Sequence, residues 1–145
     1  MSKIVIANDH GGVELAKKFS EHLKSKGHNV NWLGVFDSTV SVDYPDMAKK
    51  CTQEFKSGNY DFGILVCGTG IGISIAANKE KGIVCALPQN IYASKMAREH
   101  NGANFIAFGG RIDYPEDPLK MLDEFLSTQP SIEERHVKRR KALFA

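Results

Sequence analysis

Four short and almost entirely apolar runs recur along the chain, and they constrain its fold more than any other feature. They are Ile4–Ala7, Phe62–Cys67, Ile83–Leu87 and Phe105–Phe108, and Val30–Leu33 is a candidate fifth run. Their hydrophobicity is continuous rather than alternating, which is typical of strands buried on both faces of a parallel sheet.

Segments with helical spacing separate these runs. Val13–Lys26 repeats its apolar residues at helical intervals and is followed by Gly27, a natural helix stop. Four further segments have helical character: Pro45–Lys56, Ile73–Asn78, Ile91–Glu99 and Pro118–Leu126. The alternation of strand and helix predicts an α/β fold, a Rossmann-like three-layer αβα sandwich with a central parallel five-stranded sheet.

Length and charge narrow the class of protein. A chain of 145 residues is expected to form a single domain, residues 1–145, with a core of its own. A formal charge of +2 gives no overall field that would gather nucleic acid or a membrane surface. The apolar N-terminal run is too short for a signal peptide or a membrane span, so we expect a cytoplasmic protein. Three cysteines without CxxC spacing predict free thiols, with neither a disulfide framework nor a zinc site.

Polar residues and glycines follow three of the apolar runs. They are Asn8 to Gly12, Cys67 to Gly72, and Gly109 to Arg111. Ligands of open parallel sheets bind outside the carboxyl ends of the strands, so these three groups are expected to share one rim of the sheet.

The loop that begins at Cys67 reads CGTGIGIS and places a thiol beside a glycine-rich turn into a helix. It is not a dinucleotide fingerprint, because the third glycine would fall at Ile73, and it lacks the Gly-Lys-Ser/Thr of a P-loop. It also lacks the arginine of a cysteine phosphatase. Backbone amides aimed from such a turn favour a thiolate and stabilise negative charge on a substrate oxygen. Cys67 is therefore either a base that removes a proton next to a carbonyl or an inert buried residue at a strand end.

Five motifs carry a resemblance across nearly the whole chain. In order they are NDHGG, DYP, CGTGIGISIAANK, EHNGANFIAFGGR and RHVKR. Together they resemble the ribose-5-phosphate isomerase B family, with which the galactose-6-phosphate isomerase subunits are grouped. The resemblance implies interconversion of ribose 5-phosphate and ribulose 5-phosphate in the pentose phosphate pathway through a cis-enediolate, with no metal and no organic cofactor.

The resemblance also assigns roles to residues. It implies that Cys67 moves the proton between C1 and C2 and that His100 protonates the ring oxygen as the furanose opens. Thr69 is the third catalytic candidate: its hydroxyl could steady an enediolate oxygen or only its own turn. The positions that match substrate contacts are Asp9, His10, Gly68, Gly70, Ile71, Gly72, Asn101, Arg111, Arg135 and Arg139. The residue types alone are also compatible with structural roles: Asp9 and His10 could cap a helix, and His100 could interact with the dipole at a helix end.

The C-terminal segment, about residues 131–145, is predicted to be helical. Arg135 and Arg139 are four residues apart and would share one face of such a helix, as a phosphate grip requires. A basic patch for nucleic acid is the competing interpretation, but the run is short and has no interleaved aromatic residues. Family members are dimers or larger assemblies with shared sites, and the resemblance implies that this segment also packs in the dimer. This chain has the full set of site residues, which favours a homodimer or homotetramer.

Two other functions remain open from the sequence. The first is isomerisation of a six-carbon sugar phosphate such as allose or galactose 6-phosphate. The second is a non-catalytic module that binds a small phosphorylated sugar on the same fold, since a fold does not fix a function.

Overall fold

The computed structural model describes residues 1–145. The strands are β1 (Lys3–Asn8), β2 (Asn29–Leu33), β3 (Phe62–Cys67), β4 (Cys85–Ala86) and β5 (Phe105–Gly109). The helices are α1 (Val13–Ser25), α2 (Tyr44–Ser57), α3 (Ile71–Asn78), α4 (Ile91–Glu99), α5 (Pro118–Ser127) and α6 (Glu134–Phe144). No helix combines the length and the apolar character that crossing a membrane requires.

All five strands run parallel in one sheet, in the order β2-β1-β3-β5-β4. The predicted Rossmann-like sandwich is confirmed. From β1 the chain moves outward to β2, and from β3 it moves outward in the other direction, so the strand order reverses between β1 and β3. Such a reversal opens a crevice at the carboxyl ends of the strands, which is where open α/β sheets bind their ligands.

Helices cover both faces of the sheet. On one face α1, α4 and α5 enclose a core that includes the fully buried rings of Phe19, Phe108 and Phe125. On the other face α2 and α3 bury a second core that includes Cys51 and Ile73. Because every central strand is buried on both sides, its sequence is continuously apolar.

Strand β4 is shorter than the predicted run Ile83–Leu87, and side-chain amides explain its length. Asn78 at the end of α3 donates to the carbonyl of Cys85 at 2.9 Å and accepts from its N–H at 2.8 Å. Asn104 accepts from the N–H of Val84 at 2.9 Å. The outer edge of the sheet is therefore paired with a side chain instead of another strand.

The helix boundaries agree with the predictions except around the glycine loops. Helix α3 begins at Ile71, two residues earlier than predicted, because Gly70 directly before it takes a left-handed conformation with φ 79°. A single turn of 3-10 helix over His10–Gly12 precedes α1 and was not predicted. Helix α6 lies within the predicted C-terminal segment.

Candidate active site

The loops after β1, β3 and β5 are joined by backbone hydrogen bonds at the crevice. The N–H of Asp9 donates to Val66 at 3.1 Å, and the N–H of Gly110 donates to the carbonyl of Cys67 at 2.8 Å. The N–H of Arg111 donates to Gly68 at 2.9 Å. The three polar groups predicted to share a rim are thus in direct contact.

Two glycines permit this close approach. A Cβ on Gly110 would lie 2.4 Å from the carbonyl oxygen of Gly11, so a side chain there would force the loops apart. Gly70 needs its left-handed φ of 79°, and a Cβ there would lie 2.8 Å from the backbone carbon of Phe108. The glycines therefore allow the backbone of the β3 loop to pack directly on its neighbours.

Cys67 ends β3 and is 4% exposed. The N–H of Gly70 donates to its Sγ at 3.1 Å, so the chain turns over the sulfur before α3 begins. An N–H donor aimed at sulfur stabilises a thiolate more than a thiol. The sulfur is thus fixed at the carboxyl end of β3 with an N–H donor directed at it.

The first turn of α3 supplies further donors. Thr69 accepts the N–H of Ile71 through its Oγ1 at 3.2 Å and so steadies the turn. The N–H groups of Gly72 and Ile73 have no partner within the chain. Free amides at a helix N-terminus are ready to bind an oxyanion.

The loop after β1 contains a capping residue, Asp9, followed directly by His10. Asp9 is 6% exposed and its Oδ1 accepts the N–H of Gly11 at 2.8 Å, which is the capping role that the residue types alone allowed. His10 follows it and accepts the N–H of Val42 through Nδ1 at 3.2 Å. Both residues lie at the rim, and Gly11 touches Gly68: a Cβ on Gly11 would lie 2.9 Å from the Gly68 nitrogen.

The loop after β5 contributes the guanidinium of Arg111 and the phenol of Tyr114. The guanidinium of Arg111 lies beside Gly68, whose Cβ would be 3.3 Å from Arg111 Nη1. Tyr114 was not predicted from the sequence, where nothing marks it; its hydroxyl oxygen accepts the N–H of Gly109 at 2.9 Å. Burial raises the pKa of Tyr114, the hydrogen bond from Gly109 lowers it, and the charge of a nearby Cys67 thiolate raises it further. Because the net change is upward, Tyr114 stays a neutral phenol beside the site.

Four of the predicted site residues lie at the other end of the sheet. His100 and Asn101 follow α4 and precede the first residue of β5, whereas Cys67 pairs with Gly109, the last residue of that strand. The four steps of β5 span about 13 Å at the usual strand rise. Arg135 and Arg139 are on α6, which packs beside His100. One chain alone does not bring these four residues to Cys67.

His100 is stacked on a histidine that the sequence did not single out. The rings of His100 and His136 are parallel within 9° and their centroids are 4.0 Å apart. Burial lowers the pKa of His136, and the charges of His100, Arg135 and Arg139 lower it further, against Glu133, which raises it. The only sequence signal for His136 was its place within RHVKR.

Arg135 and Arg139 on α6 are exposed. Arg135 pairs with Glu133, with Nη2 and Oε2 3.0 Å apart, and both arginines face solvent. Glu133 is itself exposed, so its pair with Arg135 is open to solvent, and Arg139 has no carboxylate partner. Both guanidinium groups can therefore be reached by an anion from solvent.

Comparison with known proteins identifies the family. The model of the ribose/galactose isomerase family matches residues 4–143. The chain belongs to the ribose/galactose isomerase family. Among its relatives, ribose-5-phosphate isomerase B of Escherichia coli (strain K12) is 38% identical over 129 residues, which cover 89% of this chain and 86% of the relative. Galactose-6-phosphate isomerase subunit LacB of Clostridium acetobutylicum is 45% identical over 126 residues, 87% of this chain and 72% of the relative.

Solved structures of ribose/galactose isomerases have the same fold. A ribose 5-phosphate isomerase from Thermotoga maritima superposes with a TM-score of 0.90 at 44% identity, covering 98% of this chain and 97% of that one. The ribose-5-phosphate isomerase B of Clostridium thermocellum gives a TM-score of 0.91 at 42% identity, covering 98% and 95%.

Proposed function

We propose that this chain is an aldose-ketose isomerase that interconverts D-ribose 5-phosphate and D-ribulose 5-phosphate. The observation that carries the proposal is the Cys67 sulfur at the crevice, with the Gly70 N–H directed at it. Relatives named ribose-5-phosphate isomerase B support the substrate.

Proton transfer is assigned to Cys67. As a thiolate, it removes the proton from C2 of the open-chain aldose and returns it to C1, while the proton of the C2 hydroxyl passes to the oxygen on C1. The enediolate formed between these steps carries negative charge on oxygen. The free amides of Gly72 and Ile73 are placed to stabilise that charge, and this electrostatic term is often the largest in catalysis.

Ring opening and phosphate binding are assigned to the groups at the other end of the sheet. His100 protonates the ring oxygen, a proton transfer of the kind that histidine performs most often in enzymes. Arg135 and Arg139 bind the phosphate dianion and Asn101 contacts the sugar. Arg111 contributes a cation from the rim beside Gly68.

These assignments require a second copy of the chain, because Cys67 and His100 lie at opposite ends of one sheet. We infer a homodimer, or a pair of homodimers, in which each site takes Cys67 from one copy and His100, Asn101, Arg135 and Arg139 from the other. An apolar surface beside the crevice supports this arrangement: Ile71 and Ile75 lie on one face of α3 and are 52% and 55% exposed. Burying it against a partner would remove apolar area from water next to the site.

The relative named galactose-6-phosphate isomerase subunit LacB supports a second candidate, isomerisation of a hexose 6-phosphate. The site would then accept one more carbon between the phosphate grip and Cys67. A non-catalytic module is the third candidate and would bind sugar phosphate equally well without the thiol.

Three free thiols suit a reducing compartment, and we infer that the chain acts in the cytoplasm.

The test is formation of ribulose 5-phosphate from ribose 5-phosphate by the purified protein in EDTA. Cys67→Ala should lower kcat by at least about a thousandfold because the base is lost. Cys85→Ala, on the edge strand, is the matched control and should retain activity. An inactive wild type would reject the pentose assignment and lead to hexose 6-phosphates, whereas an active Cys67→Ala would show that another group is the base.

A further inference from the structure

The β2-α2 loop, residues 34–43, determines which nitrogen of His10 carries a proton. The N–H of Val42 donates to His10 Nδ1 at 3.2 Å. A ring nitrogen that accepts a hydrogen bond has a free lone pair, so the neutral imidazole carries its proton on Nε2. His10 is thereby set as a hydrogen-bond donor through Nε2.

The start of this loop is anchored to the end of β1. Asn8 is fully buried, and its Nδ2 donates to the carbonyl of Val35 at 2.9 Å and to that of Asp9 at 3.0 Å. Its Oδ1 accepts the indole N–H of Trp32 at 2.7 Å. Because an indole N–H can only donate, this contact fixes the orientation of the Asn8 amide.

The middle of the loop is a compact turn. Asp37 accepts the N–H and the Oγ1 hydroxyl of Thr39 at 2.9 Å and 2.7 Å, and its carbonyl accepts the N–H of Val40 at 3.1 Å. The hydrogen bonds from Thr39 lower the pKa of Asp37, so its carboxylate holds the turn near neutral pH. With its start anchored on Asn8 and its middle folded, the loop presents Val42 to His10 in a defined position.

His10 Nε2 has no hydrogen-bond partner within the chain, although the residue is half-buried at the rim. We propose that the Val42 N–H is a positioning group that keeps His10 in the Nε2–H form, so that His10 donates to a substrate oxygen and leaves proton abstraction to Cys67. This inference rests on the proposed isomerase function for its substrate, but the state of the ring can be measured without substrate.

Two substitutions of His10 test the roles of its two ring nitrogens one at a time. Glutamine places an amide N–H donor at about the position of Nε2, and asparagine places its amide at about the position of Nδ1. We expect His10→Gln to retain kcat/KM within about tenfold of wild type and His10→Asn to lose about a hundredfold, the scale of one hydrogen bond to a charged or developing-charge group. Equal losses, or better activity for His10→Asn, would overturn the donor role.

Replacing the Val42 backbone amide by an ester removes only its N–H, and the same change at Ser41 is the matched control because the Ser41 N–H has no partner in the chain. Nitrogen-15 NMR of the full protein labelled in histidine, with His10 assigned by loss of its signals in His10→Gln, should show a protonated Nε2 and a bare Nδ1 in wild type and in the Ser41 ester. The Val42 ester should show both tautomers and a lower kcat with little change in folding.

A wild-type ring protonated on Nδ1, or unchanged signals in the Val42 ester, would overturn the inference whatever the activity. A protein with no isomerase activity but the expected signals would instead reject the proposed function and leave the assignment of the tautomer standing.

Discussion

Cys67 differs from the other two cysteines in what surrounds its sulfur. All three cysteines belong to the same buried cluster, but only the Cys67 sulfur accepts an N–H, that of Gly70 at 3.1 Å. The sulfurs of Cys51 and Cys85 lie 4.0 Å and 3.8 Å from the carbonyl oxygens of Val5 and Ala86. Burial raises the pKa of the Cys51 thiol well above its usual value, and burial also raises the pKa of Cys85. These two remain thiols at any pH near neutrality.

Alkylation of the folded protein should therefore distinguish the three. Treatment with iodoacetamide at about pH 8 should modify Cys67 alone, because burial keeps Cys51 and Cys85 as thiols, which do not react. Peptide mapping by mass spectrometry checks the site, and the denatured protein should take up three adducts. Equal modification of Cys85 in the folded state would contradict the expectation.

Gly70 is expected to be the least replaceable residue of the β3 loop. Gly82 has a similar left-handed φ of 83°, but a Cβ on it would have nothing within 4 Å, so it isolates the conformational cost. We expect Gly82→Ala to lower the free energy of unfolding by about 1 kcal/mol and Gly70→Ala by about 3 kcal/mol, since only the latter also meets backbone. Urea denaturation measures both. Equal losses would show that the contacts at Gly70 relax.

At the scale of elements, α6 packs one face against the end of α4. Its His136 packs flat on His100 at the end of α4, and Arg140 lies across Gly102 in the turn that follows. The helix thus holds the ring that is assigned to ring opening, while Arg135 and Arg139 stay exposed.

The lowered pKa of His136 predicts a loss of stability in mild acid. Below pH 6.5, the usual pKa of histidine, His136 binds a proton in the unfolded chain more readily than in the folded chain. The free energy of unfolding therefore falls as the pH falls from 6.5 toward the lowered pKa of the folded state. His136→Phe keeps an aromatic ring without a titrating group and should show a smaller drop in Tm between about pH 7 and pH 5.5. A drop as large as that of wild type would contradict this origin.

How far the sequence could predict these elements depended on the range of the interactions. The buried strands and α4 were predictable because their apolar patterns are local. The length of β4 was not, because Asn78 pairs with Cys85 from another element. The contact of Val42 with His10 and the stacking of His136 on His100 join residues more than thirty positions apart, and no local pattern marks them.

At the scale of the whole molecule, the candidate site is divided. The motifs name the residues that we assign to it, and the strand order places Asp9, Cys67 and Arg111 at one rim, as expected. The sequence could not show that His100 and Arg135 lie at the opposite end, because that follows from the direction of β5 relative to α4 and α6.

A shared site predicts complementation between inactive variants. Cys67→Ala and His100→Ala should each lack activity, but a mixture refolded together should regain about a quarter of wild-type activity, since half of randomly paired dimers contain one intact site of two. The ribulose 5-phosphate assay measures it, and each variant refolded alone is the control. A mixture as inactive as its components would place all site residues in one copy.

The pairing of Asn78 with Cys85 has a consequence for how molecules of this chain meet at high concentration. An open strand edge is a template for further strands and hence for aggregation. Here the amide of one asparagine occupies the outward N–H and carbonyl of β4 and stands in for the next strand. That edge therefore cannot extend the sheet from one molecule into another, and it is protected from amyloid-like growth by a single side chain.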